Sequence, residues 1–506
     1  MHGGIVMDSA LSDLRDLLLR LTKLRGEVLE ESRALLESWG AQAAGPSLAV
    51  DMGNLADYLA LRRHDLSEMQ GRLAAYGLSS LGRSEAKTIA ALDALIATLK
   101  RLCGETDAPY PDTQAMRAGG AALQTACDAI FGVRRPGAPH ARIMATLPSE
   151  AANDAGLVER LIAAGMDCAR INCAHDDAGV WAQMIAHIRT AEQELGKPCR
   201  ILMDIAGPKC RIASLRAPEK FRAHRGDHIF LAAKVDPAAH GPITIAPSFP
   251  QILDQLEVGA EVWINDGKIG ANVVSKSKGH AELEVFSARA KGERLKLEKG
   301  LNFPTTALDL SPLTEKDFVD LDFVAQHADL IGFSFVQKPS DVELLQDHLA
   351  ARRGGRPLQP IILKIETPLA VRNLPQLILQ SATHNPTAVM IARGDLAVEL
   401  GFARLSEIQE EILWLCEAAH VPAIWAMQVL DNLVREGVAS RAETTDAATA
   451  QGADCVMLNK GTYLAEGVAF LRDVLTRMDR HHAKKFARYT PLQAWGSSPG
   501  APGACE

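Results

Sequence analysis

Lys364 and Glu366 stand two residues apart in the otherwise apolar run "IILKIETPLA", residues 361–370. Side chains two apart in a β-strand point to the same side, so this pair would project together from a segment whose composition indicates burial. Burying charges is costly unless they are paired, bind a metal or take part in chemistry. The pair is therefore a candidate for a functional site, although an isolated Lys–Glu pair in a strand is more often a structural ion pair.

Polar residues also end several other short apolar runs. They are Arg170 and Asn172, Asp204, Arg393 with Gly394 and Asp395, and Gln428. Two carboxylates on neighbouring strands, Glu366 and Asp395, could hold one hard divalent cation such as Mg²⁺. Lys364 and Arg170 supply positive charge for an anionic substrate, as phosphoryl transfer requires. Gly394 lets backbone amides approach that anion closely.

Eight short apolar runs alternate with amphipathic helical stretches over most of the chain. The runs cover residues 141–147, 168–173, 200–206, 330–336, 360–366, 388–396, 422–428 and 455–459. Eight strands, each followed by a helix, are what a (β/α)₈ TIM barrel of the α/β class requires, with a doubly wound open sheet as the alternative. In a barrel, the polar strand ends would meet at the C-terminal face, where active sites lie.

Two regions depart from this pattern. Residues 210–305 contain alternating β-type runs separated by Gly, Pro and Asn-Asp-Gly, which predicts a small β-barrel lid domain inserted after the third strand. Leucines at three- and four-residue spacing predict an all-helical N-terminal domain over 1–135. The barrel is then expected over 136–209 and 306–482, with a disordered tail over 483–506.

Composition excludes several classes of function. The chain has 506 residues and a formal net charge of −8, which gives no reason to expect a nucleic-acid partner or an anionic membrane. No apolar run approaches the ~18 residues of a membrane span, and the N-terminus lacks a signal-peptide pattern. The 9 cysteines include no Cys-x-x-Cys pair, which indicates reduced thiols and a cytoplasmic location.

Segments along residues 140–480 resemble, in order, the catalytic core of the pyruvate kinase family. They include "ARIMATLPSE", "LIAAGMDCARINCAHD", "ILMDIAGPKCRI", "WINDGKI", "KGLNFP", "ILKIET", "VMIARGDLAVELG" and "SRAETTDAATAQGADCVML". For example, "ILKIET" is similar to the family's "IAKIEN", and "VMIARGDLAVELG" is similar to its "IMVARGDLGVEI". The resemblance implies the barrel with an inserted β lid.

The resemblance also implies a reaction and roles for residues. Phosphate would pass from phosphoenolpyruvate to ADP, giving pyruvate and ATP, with Mg²⁺ or Mn²⁺ as cofactor. Glu366 and Asp395 would bind the divalent cation, and the catalytic residues would be Lys364, Arg170 and Lys299. The substrate side would comprise Gly394, Asp395, Met427 and Ser334. The nucleotide side would comprise Arg170, Asn172, His175 and Lys299. A homo-oligomer is also expected.

One departure from the family pattern concerns its K⁺ pocket. Asn172 and Asp204 remain there. Ala174 and Ile205 replace the two hydroxyl residues of the family, and Lys209 stands where many members carry Glu. We hypothesise that the Lys209 ammonium replaces K⁺, because a fixed cation can supply the same local charge, so that K⁺ is not required.

A second departure concerns protonation of the enolate. Met427 replaces the family's Thr at the end of the seventh strand, and Asn459 and Gly461 replace its Ser and Glu after the eighth. Methionine cannot donate a proton, so protonation uses water or Lys460, is slow, or the substrate differs. We also expect the family's C-terminal effector domain to be missing, with the N-terminal helices serving for packing or oligomerisation.

Two other functions stay open at this stage. A metal-dependent, enolate-forming lyase of the pyruvate aldolase type would keep Glu366, Asp395 and an arginine but would not need Lys299 of the lid. A regulatory pseudoenzyme would use the helical domain for interaction, but it has no physical reason to keep the metal ligands and Lys364. The retained "KGLNFP" segment favours a nucleotide substrate.

Overall fold

The computed structural model describes residues 2–40, 46–484 and 486–487. The described N-terminal part is helical. It contains α1 (His2–Ser38), α2 (Pro46–Leu61), α3 (Ser67–Ala75), α4 (Thr88–Leu102) and α5 (Ala115–Phe131). None of the described helices is long and apolar enough to cross a membrane.

The middle of the chain begins a barrel and then inserts a lid. The barrel begins with β1 (Arg142–Thr146), α6 (Ala155–Ala164), β2 (Cys168–Asn172), α7 (Ala178–Leu195) and β3 (Arg200–Ile205). The lid contains β4 (Ile212–Arg216), β5 (His228–Ala232), β6 (Thr244–Pro247), α8 (Ile252–Gln255), β7 (Glu261–Ile264), β8 (Ile269–Ser277), β9 (His280–Ala288) and β10 (Leu301–Asn302).

The rest of the chain completes the barrel. It contains α9 (Glu315–His327), β11 (Leu330–Phe333), α10 (Pro339–Arg353), β12 (Ile361–Ile365), α11 (Pro368–Arg372), α12 (Leu374–Ala382), β13 (Thr387–Ala392), α13 (Arg393–Leu400), α14 (Phe402–Ala418), β14 (Ala423–Ala426), α15 (Asp431–Glu436), α16 (Arg441–Thr449), β15 (Cys455–Leu458) and α17 (Leu464–His481). A short antiparallel pair follows, β16 (His482–Ala483) with β17 (Phe486–Ala487). Beyond residue 487, the tail that was predicted from the sequence lies outside the described residues.

Eight parallel strands close into a barrel in the order β1-β15-β14-β13-β12-β11-β3-β2. Closure is made by β1, which pairs with β15 on one side and with β2 on the other. The strands are apolar and buried along nearly their whole length, because the barrel interior covers one face and the helices cover the other. The predicted (β/α)₈ barrel is therefore confirmed, and the open-sheet alternative is wrong.

The lid is a seven-stranded mixed sheet with its own apolar core. Its two edges meet, because the backbone N–H of Ile212 donates to the carbonyl of Lys299 at 2.9 Å and that of Leu301 donates to the carbonyl of Cys210 at 2.9 Å. These bonds close the sheet, as the prediction of a small β-barrel requires. They also hold together the two chain segments that connect the lid to the barrel.

The N-terminal helices cover the N-terminal face of the barrel. Ile130 and Phe131, at the end of α5, belong to the same apolar cluster as the side chains of the barrel interior. Arg142, the first residue of β1, donates to Asp128 at 2.8 Å and to the carbonyl of Gly132 at 2.9 Å. This packing leaves the C-terminal face of the barrel, with its polar strand ends, for the lid and for a substrate.

A close contact fixes these helices to the barrel. The ring nitrogens of His420, in the loop before β14, lie 2.6 Å from Oδ1 of Asp51 and 3.1 Å from the carbonyl oxygen of Ala86. A Cβ added at Gly119 of α5 would lie 1.9 Å from that carbonyl oxygen and 2.3 Å from Nε2 of His420. Only glycine lets α5 approach this closely.

Candidate active site

A network of buried charges joins the C-terminal ends of β2, β3 and β12. Nε of Arg170 donates to Oδ2 of Asp204 at 2.8 Å. Nζ of Lys364 lies 3.3 Å from Oδ1 of Asp204 and 3.3 Å from Oε1 of Glu366. All four residues are more than nine-tenths buried. Lys364 and Glu366 thus lie side by side, as the period of a strand predicts, and both belong to a larger set of charges.

Two hydroxyl groups orient the cations of this network. NH1 of Arg170 donates to Oγ1 of Thr146, at the end of β1, at 3.0 Å. Nζ of Lys364 donates to Oγ of Ser334 at 2.6 Å, and that hydroxyl donates to the carbonyl of Ile205 at 2.7 Å. Both cations are therefore held in fixed directions at the C-terminal face. Before the structure, only its place at the end of a predicted strand marked Thr146.

Charge pairing outweighs burial at the centre of the network. Burial raises the pKa of Asp204, but Lys364 and Arg170 more than compensate and hold that pKa below its usual range. Burial lowers the pKa of Lys364, but Asp204 and Glu366 more than compensate and raise that pKa above its usual range. The network therefore keeps Asp204 ionised and Lys364 protonated at neutral pH.

Glu366 faces a second carboxylate. Burial raises its pKa, Lys364 lowers it and the negative charge of Asp395 raises it, so that the pKa lies above the usual range of glutamate. Its Oε2 accepts from the backbone N–H of Phe335 at 2.6 Å. Two buried carboxylates that repel each other gain from a divalent cation between them.

This pair of carboxylates fits a hard divalent cation. No group of three or more His, Cys, Asp and Glu side chains within the described residues is arranged to hold a metal ion. Mg²⁺ does not need such a group, because it typically takes one or two carboxylates and completes its octahedron with water and substrate phosphate. Glu366 and Asp395 could therefore hold Mg²⁺ or Mn²⁺.

Asp395, in the first turn of α13, is paired with an ammonium group. Nζ of Lys209 donates to its two oxygens at 2.8 and 2.9 Å. The other members of the predicted K⁺ site are engaged elsewhere: Oδ1 of Asn172 accepts from the backbone N–H of Ala174 at 3.1 Å, and Asp204 belongs to the charged network. Lys209 is thus brought to a predicted metal ligand, and its replacement of K⁺ stays a prediction.

Arg393 does not join the charged network; its contacts are structural. Its guanidinium pairs with Asp446 at 2.6 and 2.8 Å and donates to the carbonyls of Ala426 at 3.1 Å and Met427 at 2.8 Å. Met427 and Gln428 have φ angles of 76° and 58°, in the left-handed region that non-glycine residues rarely adopt. Arg393 therefore holds a strained turn at the end of β14.

Met427 narrows the site beside Gly394. A Cβ added at Gly394 would lie 3.1 Å from Cε of Met427, so the methionine methyl group packs closely against Gly394, beside the amides to which we expect a substrate carboxylate to bind. At Gly461, where the family pattern has Glu, an added Cβ would lie 2.5 Å from the carbonyl oxygen of Val434. Of the two altered positions, Met427 thus presents an apolar side chain to the site, and Gly461 has no room for a side chain.

Of the predicted nucleotide contacts, Arg170 belongs to the charged network, whereas Asn172, His175 and Lys299 have no side-chain bond to it among the described residues. Burial lowers the pKa of His175, and the positive charges of Lys460 and Arg211 lower it further. Lys299 precedes β10 on the lid. Within the part of the chain that the structure describes, no hydrogen bond or ion pair links the side chains of His175 and Lys299 to Arg170. The charges of Lys460, Arg211 and Arg170 all act on His175, so positive charge gathers around it, as binding of an anionic ligand requires.

Sequence reasoning missed Glu399, which lies one helical turn after Asp395 on α13. Burial raises the pKa of Glu399 to about 7, a hydrogen bond from Asn302 lowers it and the charge of Asp395 raises it. Nδ2 of Asn302 donates to Oε1 of Glu399 at 2.9 Å. Because Asn302 ends β10, this bond joins the lid to the barrel. The spacing of four residues from Asp395 on a helix was the available signal.

A cavity of about 220 Å³ lies beside this bond. Its lining includes Lys209, Asn302, Phe335, Thr367, Arg372 and Glu399. The lining comes from both the lid and the barrel, so movement of the lid would change the size of the cavity.

Comparisons with known proteins agree with this geometry. A model of the pyruvate kinase barrel domain matches residues 138–468. A pyruvate kinase of Agrobacterium vitis is 32% identical over 67% of this chain and 70% of its own length. One from Methylorubrum extorquens is 33% identical over 67% of this chain and 68% of its own length. One from Bacillus licheniformis is 32% identical over 63% of this chain and 54% of its own length, so the chain spans about half of that relative.

Proposed function

The chain belongs to the pyruvate kinase family, and we propose that it transfers phosphate from phosphoenolpyruvate to ADP, giving pyruvate and ATP. The observation that carries the proposal is the buried network of Arg170, Asp204, Lys364 and Glu366 at the C-terminal face of the barrel. Charges buried this deeply are costly to keep, and phosphoryl transfer is a reaction that uses them.

Two fixed cations would act on the phosphoryl group. Arg170 is held by Asp204 and Thr146, and Lys364 by Ser334 and the two carboxylates, so neither needs to reorganise as charge develops. The raised pKa keeps Lys364 protonated at neutral pH. We assign Arg170 to clamp the phosphate and Lys364 to stabilise the transferring phosphoryl group and the enolate oxygen.

Glu366 and Asp395 would hold the divalent cation. When bound, Mg²⁺ or Mn²⁺ would offset the negative charge of the reacting phosphates. Burial, and after it the negative charge of Asp395, raise the pKa of Glu366, and a cation that neutralises two such carboxylates fits this environment. The hydrogen bond from the Phe335 amide leaves Glu366 in one orientation.

The substrate carboxylate would bind the backbone amides of Gly394 and Asp395, which lie in the first turn of the eight-residue helix α13. Met427 would form the wall beside it and would reshape the space for the substrate's carbon chain. Met427 donates no proton, so we assign protonation of the enolate to water or to Lys460.

The nucleotide would bind on the side of Asn172, His175 and Lys299, with Arg170 between nucleotide and substrate. The cluster of positive charge around His175 supports this assignment. Lys299 would reach the nucleotide phosphates when the lid closes. A cytoplasmic location, a homo-oligomeric state and the absence of a K⁺ requirement stay predictions.

A steady-state assay tests the proposal. The full chain is mixed with phosphoenolpyruvate, ADP and Mg²⁺, and ATP and pyruvate are measured separately. Wild type is expected to form ATP, and Lys364→Met is expected to lose this activity. Lys197→Met, in the loop before β3 at the opposite face of the barrel, is the matched control and should keep it. Wild-type ATP formation no higher than that of Lys364→Met would contradict the proposal and favour an enolate-forming lyase or a pseudoenzyme.

A further inference from the structure

Lys209 and a divalent cation compete for the same oxygens. Nζ of Lys209 lies 2.8 and 2.9 Å from the two oxygens of Asp395, and Asp395 is a proposed metal ligand. An ammonium group and a divalent cation on one carboxylate repel each other, and water screens this repulsion incompletely because the side chain of Asp395 is only 8% exposed, against 23% for that of Lys209. A cation that binds Asp395 and Glu366 would therefore displace the ammonium of Lys209.

A second acceptor lies within reach of Lys209. Asn302 is 5% exposed, and its Oδ1 has no hydrogen-bond partner among the described residues. A Cβ added at Gly300 would lie 3.4 Å from Cε of Lys209 and 4.0 Å from Oδ1 of Asn302, so both atoms border the same small space. Lys209 and Asn302 also line the same cavity. A buried carbonyl oxygen without a partner is costly, and an arriving ammonium would relieve that cost.

The groups around Asn302 favour a cation there. Its Nδ2 donates to Glu399 at 2.9 Å, which fixes the amide and leaves Oδ1 as the free acceptor. The carboxyl of Glu399 is buried behind it, and the charges of Lys209 and Asp395 both act on that carboxyl. Oδ1 of Asp266 would lie 3.9 Å from the same added Cβ at Gly300, on the lid side. A displaced ammonium would thus meet side-chain oxygen atoms of both Asn302 and Asp266.

We propose that the Lys209 ammonium is an exchangeable counter-cation, which neutralises Asp395 until a divalent cation binds there and then moves to Oδ1 of Asn302. The inference rests on the proposed metal site of Glu366 and Asp395. Lys209 lies in the segment that enters the lid, and Asn302 ends β10 just before the chain returns to the barrel. Metal binding would therefore release Lys209 from α13 and add a side-chain contact to the backbone hydrogen bonds that already join the two connecting segments. Loading of the site would in this way be coupled to the position of the lid. In this role Lys209 is a positioning residue.

Binding of Mn²⁺ to the full chain without substrates tests the competition. The free ion is measured by electron paramagnetic resonance during titration. Lys209→Met removes the competitor and is expected to tighten Mn²⁺ binding about tenfold. Lys23→Met removes the same charge from an exposed pair with Glu27 on α1 and should leave the affinity unchanged. Equal or weaker binding by Lys209→Met would overturn the proposal.

A double-mutant cycle tests the second acceptor. Asn302→Ala removes Oδ1 and is expected to weaken Mn²⁺ binding about fivefold, because the displaced ammonium then has no partner. In the Lys209→Met background the same substitution should have no effect. An equal effect in both backgrounds, or none in either, would contradict the exchange. Asn302→Ser replaces Asn302→Ala if the latter does not fold.

Hydrogen exchange of the native chain gives an independent readout. On adding Mn²⁺, residues 207–212 and 299–303 should become more protected in wild type, whereas Lys209→Met should show no such change. The same change in both proteins would refute the coupling to the lid.

Absence of Mn²⁺ binding in wild type and Lys209→Met alike would contradict the proposed metal site itself. Unchanged binding by Lys209→Met in a chain that makes ATP would overturn only the exchange.

Discussion

The Glu399→Gln variant should gain stability relative to wild type as the pH rises. Burial raises the pKa of Glu399 to about 7 in the folded protein, whereas a glutamate in an unfolded chain has a pKa of about 4.3. The folded state therefore binds the proton more tightly. This tighter binding of the proton by Glu399 stabilises the folded protein fully below about pH 4.3, and the stabilisation is lost as the pH rises through about 7.

The size of the effect follows from the difference in pKa. The difference between the two pKa values is about 2.7, and at about 1.4 kcal/mol for each unit of pKa it sets an upper limit of about 3.7 kcal/mol. Glu399→Gln keeps an oxygen that can accept from Nδ2 of Asn302, and it removes the ionisation. We therefore expect the variant and wild type to have similar stability near pH 4.5, and the variant to gain steadily up to pH 8.

The assay is thermal unfolding of both proteins from pH 4.5 to 8, read as the difference in Tm. Glu194→Gln, on an exposed position of α7, controls for the exchange of Glu for Gln. A difference for Glu399→Gln that stays constant with pH, or that favours wild type at pH 8, would refute this account of the buried carboxyl.

Three further predictions follow from other contacts. Lys364→Met should destabilise the chain by about 3–5 kcal/mol, because it leaves Asp204 and Glu366 buried with less compensation; adding Glu366→Gln should recover part of the loss in Tm without restoring ATP formation. Gly119→Ala should lower the free energy of unfolding by about 1–3 kcal/mol, because the added Cβ overlaps the carbonyl of Ala86. Gly120→Ala is the control: its Cβ would have no atom within 4 Å, so the same thermal unfolding experiment should show no loss of stability. ATP formation should proceed equally with and without K⁺; a strict, saturable K⁺ requirement in that assay would contradict the replacement of K⁺ by a lysine.

The barrel was predictable because its signal is local and repeated. Each of the eight apolar runs overlaps one strand, and the helical stretches between them appear as helices. The boundary at β13 was less visible. The apolar run over 388–396 predicts a strand that is too long, since β13 ends at Ala392 and α13 begins at Arg393. The first turn of that helix is set by contacts of Arg393 with Asp446 and with β14, which no local pattern reveals.

The candidate site was predictable only in part. Strand ends in a barrel share one face, so Arg170 and Lys364 could be assigned to one site from their positions alone. Which charges pair within that face depends on distant parts of the chain. Lys209 and Asp395 are 186 residues apart, and their contact depends on the path of the segment that enters the lid. The same holds for Asn302, whose partner lies on α13.

The central claim is that this strand-end network transfers a phosphoryl group. A single-turnover experiment measures that step directly, since it does not depend on protonation of the enolate or on product release. Excess full-length chain with Mg²⁺ and ADP is mixed with phosphoenolpyruvate carrying a ³²P-labelled phosphate, and the label is followed into ATP after rapid quenching. We predict transfer of the label to ATP by wild type and by Lys197→Met, and none by Glu366→Gln. Label that stays in phosphoenolpyruvate with wild type, or that reaches ATP equally with Glu366→Gln, would contradict the claim.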